Sequence, residues 1–200
     1  GKWVKTIYVT DGAARNKPTN QADHAAIRRE EAIRVWECVG AEPPEFWDLP
    51  CRNIPLTEEN ATIMRKQIKE SKAECIFVPF FMEPPLDHRK VSQLLAMAHQ
   101  SDPLPKNLEI WSYQVSSIIS PNVVVDITDI TNNKEKINEI WESQNVVFNY
   151  AHFARGMNAY NSIFLPRKRM PYPQKRYAEV FFVADACTYV ELVNKYSGKN

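Results

Sequence analysis

The chain has 200 residues, with 25 Lys and Arg against 24 Asp and Glu, so it can bury one core and has no charge excess that favours nucleic acid. No apolar stretch approaches the ~20 residues that span a bilayer, and the four cysteines are widely spaced without a C-x-x-C pair. These features predict a soluble, cytoplasmic protein with reduced thiols.

The N-terminal part begins with a strand and a helix. Residues 4–10 are rich in β-branched and aromatic side chains and predict a strand that ends at Asp11. Apolar residues at helical spacing predict a helix over residues 23–39, with Asp23 as its N-cap and Gly40 at the C′ position.

The middle of the chain continues this alternation. Residues 45–50 are a short strand candidate, and Thr57 is placed to cap the helix that follows. The continuous apolar run over residues 74–81 is typical of a strand covered on both faces. It leads through a turn containing Asp87 and His88 into a third predicted helix.

The C-terminal part contains further strands and helices, which the patterns place at residues 109–117 and 122–128 (strands), 134–161 (a helix containing Gly156) and 176–193 (a strand, then a helix). Strands that alternate with helices predict the α/β class, here a three-layer sandwich with a mostly parallel sheet. The length predicts a single domain over residues 1–200.

Ligands of α/β proteins bind beyond the carboxyl ends of parallel strands, so the strand-to-helix turns are the expected sites. Three of these turns contain polar residues, at Asp11-Gly12, residues 49–52 and residues 83–88. The chain has no G-x-G-x-x-G, Walker A or G-x-S-x-G motif, which disfavours a classical nucleotide site and a serine nucleophile. Acid, base or metal chemistry remains.

Asp87-His88 is the best local candidate for a metal site. Imidazole nitrogen is a common zinc ligand, and the neighbouring carboxylate can orient the ring and set its tautomer, which makes Asp87 a candidate catalytic residue and His88 a candidate metal ligand. The alternative is a helix cap at Asp87 with His88 on the surface of the first turn. The dipeptide alone leaves both interpretations open.

Five segments follow one another along the chain: YVTDGAARN, AIRREEAIRVWECVGA, FVPFFMEPPLDHRKV, NVVVDITDITNNKEKINEIWESQ and RYAEVFF. In this order they resemble one family, the LmbE-like relatives of N-acetylglucosaminyl-phosphatidylinositol de-N-acetylase (PIG-L). The resemblance implies a Rossmann-like fold and a hydrolase, dependent on Zn²⁺ or another divalent metal. Such an enzyme removes an N-acetyl group from an amino sugar by attack of zinc-bound hydroxide on the amide, with His88 as one ligand.

The family's first strand, which carries an A-H-P-D-D motif with two further ligands and the general base, has no counterpart in this sequence. We expect that the native protein has about thirty to forty more N-terminal residues, or that another segment fills this place in the sheet. The family also reads H-x-D-H where this chain has Pro85, and an aspartate where it has Cys51. These two departures put an oxyanion contact and a sugar contact in doubt.

Three residues are candidates for substrate binding. Arg28 matches the R-x-x-E element and would bind a phosphate or a sugar hydroxyl, or would only pair with Glu31 on its own helix. Asp11 would line the pocket, or only form an Asp-Gly turn. Glu179 is a charged residue in an apolar strand, which demands a partner, either a substrate or a structural ion pair. Lys134, Ser143 and Gln144 match a family helix and are interpreted as structural.

The basic cluster at residues 166–176 is compatible with an anionic carrier of the sugar, such as a nucleotide or a lipid, or with a solvated loop. The resemblance implies an N-acetylated amino sugar as the partner. A homo-oligomer is left open. One alternative is a non-catalytic carbohydrate-binding relative. Another is a nucleotide-sugar binder, with phosphate contacts from Arg15, Lys17 or Arg28.

Overall fold

The computed structural model of the chain describes residues 3–13, 21–166 and 174–197. Its strands are β1 (Ile7–Thr10), β2 (Glu45–Leu49), β3 (Cys75–Pro79), β4 (Glu109–Tyr113), β5 (Val123–Asp126) and β6 (Ala178–Asp185). Its helices are α1 (Gln21–Cys38), α2 (Glu58–Ser71), α3 (Leu86–Ser101), α4 (Thr131–Glu139), α5 (Glu142–Asn145), α6 (Tyr150–Asn161) and α7 (Ala186–Ser197). Among these described helices, none combines the length and apolarity that crossing a membrane requires.

The described strands form two sheets. β1 and β2 pair in parallel in the first sheet. The second sheet has the order β3-β4-β6-β5, in which β3 and β4 are parallel and β4 and β6 are antiparallel. The predicted α/β class is confirmed, although the alternation of elements did not indicate the antiparallel pairing.

The chain divides into two compact units. Unit 1 comprises residues 1–53 and 126–178, and unit 2 comprises residues 54–125 and 179–200. Unit 1 contains β1, β2, α1, α4, α5 and α6, whereas β3, β4, α2, α3 and α7 lie in unit 2. A single domain over residues 1–200 stays a prediction.

The core of unit 1 is built on α1 and on α6, which packs against α4. Ala32 and Val35 of α1 are buried, as is Ala151 at the start of α6. Next to them, Glu31 is only 1% exposed and accepts hydrogen bonds from the backbone N–H and the hydroxyl of Ser143, both at 2.7 Å. These bonds satisfy the buried carboxylate and fasten α5 to α1.

α3 is the central helix of unit 2 and packs against α2, α7 and β3. Leu94 and Ala98, one helical turn apart, are buried on its inner face. The hydroxyl of Tyr189 in α7 donates to Ser92 at 2.9 Å, and Ser92 donates to the carbonyl of Pro79 at 3.2 Å. This buried chain of hydrogen bonds holds α3 against the end of β3.

Local signals predicted some helix ends correctly. Thr57 caps α2, accepting a hydrogen bond from the backbone N–H of Asn60 at 3.3 Å. Gly40 follows α1 with a φ of 67°, as predicted for the C′ position. The N-cap role of Asp23 is wrong, because α1 begins at Gln21 and Asp23 lies inside the first turn.

The long helix predicted over residues 134–161 is wrong, because this segment forms α4, α5 and α6. Trp141 precedes α5 with a ψ of 57°, which breaks the helical path. Asn149 caps α6, its side chain accepting from a backbone N–H of the first turn at 2.9 Å. Gly156 lies within α6, as predicted.

Candidate functional site

The turn after β1 is held to the end of β2 by Asp11. The backbone N–H of Asp11 donates to the carbonyl of Leu49 at 3.0 Å. Its Oδ1 atom accepts from the backbone N–H groups of Ala13 at 3.0 Å and Cys51 at 3.2 Å. Asp11 therefore aligns the carboxyl ends of two parallel strands, the position at which α/β proteins bind ligands.

Gly12 brings this turn close to α1. Its φ is 65°, a conformation that side chains disfavour, and an added Cβ would lie 3.4 Å from three side-chain atoms of Arg28. A glycine at this position therefore lets the Arg28 side chain pass directly beside the turn.

Arg28 is a half-buried cation in this region. Its side chain is 22% exposed, and its guanidinium carbon lies 4.8 Å from the ring centroid of Trp141. Nη1 is 3.4 Å from Glu31 Oε2 and 3.5 Å from the hydroxyl oxygen of Ser143. Burial lowers the pKa of Arg28, and the carboxylate of Glu31 opposes this effect. Arg28 stays a cation at neutral pH.

These residues line a cleft in unit 1 of about 80 Å³, which we call the Arg28 cleft. Its lining residues are Tyr8, Thr10, Asp11, Gly12, Ala25, Arg28, Arg29, Phe46, Asp48 and Trp141. The cleft thus combines aromatic rings with charged groups of both signs, a combination suited to the apolar faces and hydroxyls of a small polar ligand.

A second arginine forms one side of the Arg28 cleft. Nη2 of Arg29 donates to both carboxylate oxygens of Asp48, at 2.6 and 2.7 Å, while its guanidinium carbon lies 4.0 Å from the ring centroid of Phe46. Asp48 has a φ of 54°, a left-handed conformation that a non-glycine residue rarely adopts. The ion pair with Asp48 and the contact with the Phe46 ring hold Arg29 in place. The ion pair of Arg28 with Glu31 is longer, at 3.4 Å.

In unit 2, His88 lies in the first turn of α3 and is half-buried. Its Nδ1 atom is buried and has no hydrogen-bond partner among the described residues. Burial lowers the pKa of His88, against the negative charges of Glu83 and Asp87. A neutral imidazole with a spare ring nitrogen is the form that binds a metal ion.

The helix-cap interpretation of Asp87 is wrong. α3 begins at Leu86, so Asp87 is its second residue, and Pro85 occupies the N-cap position without a side-chain hydrogen bond. His88 is consequently not a surface residue beside a cap. Its half-buried position fits a role as one metal ligand.

The turn before α3 contains a further buried group, Glu83, which is 0% exposed. Its carboxylate accepts hydrogen bonds from Val115, Ser116 and Ser117, the loop after β4. Glu83 lies in one of the turns predicted to hold a ligand, but its hydrogen-bond partners were not predicted. The available signal was a charged residue directly after an apolar run, which requires compensating donors.

The predicted site residues therefore fall into two groups. Asp11 and Arg28 meet in the Arg28 cleft of unit 1. Asp87 and His88 are neighbours in α3 of unit 2, and Glu179 lies half-buried in β6 of the same unit. Their assigned roles stay predictions.

A complete metal site needs several ligands close together. Within residues 3–13, 21–166 and 174–197, no group of three or more His, Cys, Asp or Glu side chains could hold a metal ion. His88 fits a single ligand position. Arg15, Lys17 and most of the basic cluster at residues 166–176 lie outside the described residues.

Comparison with known proteins places the sequence in a family. The sequence model of the PIG-L family, GlcNAc-PI de-N-acetylase, matches residues 1–99. Residues 1–99 of the chain belong to the PIG-L family. The match includes β1, the Arg28 helix, and the turn that carries Asp87 and His88.

Solved structures share the fold of this chain. N,N'-diacetylchitobiose deacetylase from Pyrococcus horikoshii is 21% identical with a TM-score of 0.72, over 93% of this chain and 75% of that one. The 4-carboxy-2-hydroxymuconate hydratase GalB from Pseudomonas putida is 18% identical with a TM-score of 0.67, over 89% and 82%. The zinc-inhibited form of teicoplanin deacetylase Orf2 is 14% identical with a TM-score of 0.62, over 90% and 86%.

Proposed function

We propose that this PIG-L-family protein is a zinc-dependent hydrolase that removes the N-acetyl group from an amino-sugar substrate. The family description supports the reaction, and the likeness to a chitobiose deacetylase supports a sugar substrate. The observation that carries the proposal is the buried Nδ1 of His88, which has no hydrogen-bond partner among the described residues.

His88 is the proposed metal ligand of this chain. A buried nitrogen without a hydrogen bond is costly unless a ligand satisfies it, and the low pKa of the ring keeps it neutral. Asp87, the preceding residue of α3, would orient the imidazole. A bound zinc ion would polarise the amide carbonyl and lower the pKa of a water molecule to about 7. Catalytic zinc takes three protein ligands, so His88 would need two further ligands. The described residues contain no cluster that supplies them.

The Arg28 cleft is the proposed sugar-binding element. Asp11 can accept from sugar hydroxyls through the oxygen that does not clamp the turn, and Arg28 can donate to a hydroxyl or an anionic substituent. Trp141 and Tyr8 line the same cleft and would pack against the apolar side of a sugar. Glu179 is a further proposed substrate contact.

Two departures from the family lower the expected rate. Pro85 at the N-cap of α3 has no side-chain donor where the family has a histidine, so another group must stabilise the tetrahedral oxyanion. Loss of one such donor typically costs about 100- to 1000-fold in rate. Cys51 replaces a family aspartate beside Asp11, and its backbone N–H donates to the Asp11 carboxylate.

The test of this function is acetate release by the full-length protein after loading with zinc. We expect release from N-acetylglucosamine, diacetylchitobiose or N-acetylglucosaminyl-phosphatidylinositol, and its loss in His88→Ala or with a chelator. His152→Ala is the matched control, because His152 is exposed on α6. Failure to release acetate from any of these substrates would remove the proposal, as would full activity in His88→Ala.

A second candidate is a carbohydrate- or nucleotide-sugar-binding protein without a metal centre. The Arg28 cleft favours it, because its aromatic rings and charged groups can bind a sugar without zinc. Calorimetry with the same sugars in the presence of a chelator separates the two functions. Full affinity without acetate release supports binding alone.

A further inference from the structure

Glu83 is enclosed by donors from a single loop in unit 2. Its Oε1 atom accepts from the N–H of Val115 at 2.8 Å and the hydroxyl of Ser117 at 2.6 Å. Its Oε2 atom accepts from the N–H and the hydroxyl of Ser116, at 2.9 and 2.8 Å. The N–H of Ser117 lies 3.3 Å from both oxygens. Three consecutive backbone N–H groups thus form an anion-binding nest whose anion is a side chain of this chain.

This carboxylate joins two loops that lie side by side. β3 and β4 are parallel neighbours with Pro79 opposite Tyr113, so the loops that follow them leave the same edge of the sheet. Glu83 follows β3 by four residues and the segment Val115–Ser117 follows β4 by two. The hydrogen bonds therefore fix the loop that leads into α3 to its neighbour.

The connection from Glu83 to His88 is short and stiff. Pro84 and Pro85 have φ angles restricted by their rings, and Pro85 has a φ of −63° at the N-cap of α3. The N–H of Arg89 donates to the carbonyl of Pro85 at 3.4 Å, which begins the helix. On the other side of Glu83, its own N–H donates to the carbonyl of Phe80 at 2.9 Å. A displacement of Glu83 is thus transmitted to the first turn of α3.

We infer that Glu83 is the positioning residue for His88: by clamping the Val115–Ser117 loop, it fixes the turn that directs the His88 imidazole. The inference rests on the proposed function for its metal-binding consequence, whereas the clamp itself is independent of metal. Glu83 does not act on the substrate. It acts by limiting the positions that the first turn of α3 can take.

Glu83→Gln is the informative substitution because it keeps the size of the side chain. One acceptor oxygen becomes an NH₂ group that faces N–H and O–H donors, so several of the hydrogen bonds are lost. A second variant, Ser116→Ala with Ser117→Ala, keeps Glu83 and the backbone N–H bonds but removes both hydroxyl donors. It replaces Glu83→Gln if that variant does not fold.

Glu31→Gln is the matched control. Glu31 is also almost fully buried, 1% exposed, and also accepts from the backbone N–H and hydroxyl of a serine, but it belongs to unit 1. A loss of stability from an unsatisfied buried carboxamide would affect both variants. An effect on the His88 turn is expected only from Glu83→Gln.

The experiment measures two quantities on the full-length protein: amide hydrogen exchange, without metal, and the zinc dissociation constant, by competition with a chelator. In Glu83→Gln and in the double serine variant, we expect faster exchange both at residues 115–117 and in the first turn of α3. We also expect about 10- to 100-fold weaker zinc binding, the usual effect of disturbing the support of a ligand. Glu31→Gln should change neither the exchange rates of these two segments nor the zinc dissociation constant.

Faster exchange confined to residues 115–117, with the α3 turn and zinc binding unaltered, would overturn the inference and leave Glu83 a loop anchor only. If the unsubstituted protein binds no zinc, the proposed function fails on its own. The exchange rate in the first turn of α3 then decides the positioning role, because an unchanged rate in Glu83→Gln contradicts it.

Discussion

Glu31 and Glu83 show how individual residues shape this molecule. Both are charged, both are almost fully buried, and both accept hydrogen bonds from a backbone N–H and a hydroxyl of serine. The serines are distant in sequence, 112 residues from Glu31 and 33 from Glu83. The sequence therefore indicates that such a carboxylate needs hydrogen-bond donors, but it does not show which residues provide them.

The first residue-scale prediction concerns Glu31. Glu31→Ala removes the acceptor for Ser143 and leaves a buried N–H without its partner, which should lower the free energy of unfolding by about 1–3 kcal/mol. Urea denaturation of Glu31→Ala, Ser143→Ala and the double variant measures the effect. Strictly additive single effects would contradict a direct Glu31–Ser143 interaction, because contacting residues are energetically coupled.

The second residue-scale prediction concerns Arg28. Under the proposed function, Arg28→Ala removes a charged hydrogen bond to the sugar, worth about 1.5–3 kcal/mol, and should weaken binding about 10- to 100-fold. Calorimetric titration with an N-acetylated amino sugar provides the measurement. Arg34→Ala is the control, since Arg34 lies on the same helix, is 52% exposed and contacts Glu142. Equal affinities of the two variants would exclude Arg28 from the binding site.

His88 and Arg28 became candidate site residues because each matches a motif of the resembled family, and their roles stay predictions. Glu83 lies in one of the turns identified from sequence, but its function depends on the loop after β4. Trp141 was placed in a continuous predicted helix, whereas it is the N-cap residue of α5 and lines the Arg28 cleft. Both features depend on contacts between segments that are distant in sequence, and only the tertiary structure shows such contacts.

At the scale of elements, local signals predicted the helix ends at Thr57 and Gly40, whereas the cap signal at Asp23 was wrong. After α1, the N–H of Gly40 donates to the carbonyl of Glu37 and the N–H of Ala41 to that of Trp36, both at 3.0 Å. This is the Schellman arrangement that a glycine at C′ favours. The break between α4 and α6 contains no glycine or proline that would mark it in the sequence. The segment was therefore predicted as one helix.

The end of α2 provides the element-scale prediction. Lys72 at its C-cap has a φ of 51°, a left-handed conformation that costs a non-glycine residue about 1 kcal/mol. Lys72→Gly should therefore raise the free energy of unfolding by roughly that amount. Gly40→Ala should lower it, because Gly40 also has a positive φ, 67°. Thermal denaturation of both variants tests the pair, and changes of the same sign would refute the explanation.

At the scale of the whole molecule, the α/β class followed from the order of strands and helices, each of which has a local sequence pattern. The pairing of the strands did not follow. β4 pairs with β3 in parallel and with β6 in antiparallel orientation. Strand β5 and the helices α4, α5 and α6 separate β4 from β6 in the sequence. Sequence patterns specify a strand without specifying its neighbour.

The stability of the molecule should depend on pH through Glu83. Burial raises the pKa of Glu83, but hydrogen bonds from Ser117, Val115 and Ser116 outweigh it and leave the pKa below its usual range. A carboxylate with a lowered folded-state pKa stabilises the protein above its unfolded value, about 4.3. This contribution is lost as the pH falls through the folded-state pKa.

We therefore expect the free energy of unfolding of the unsubstituted protein to fall more steeply below about pH 4.3 than that of Glu83→Gln. The difference between the two urea titrations isolates Glu83 from the other carboxylates. Parallel curves between pH 5 and pH 2 would show that the hydrogen bonds do not favour the charged form.

Zinc content of the purified full-length protein tests the central claim most directly. Elemental analysis should find about one zinc ion per chain in the unsubstituted protein and in His152→Ala, and little in His88→Ala. This result would establish His88 as a ligand, independently of which sugar is the substrate. Equal zinc content in the unsubstituted protein and His88→Ala would contradict the account.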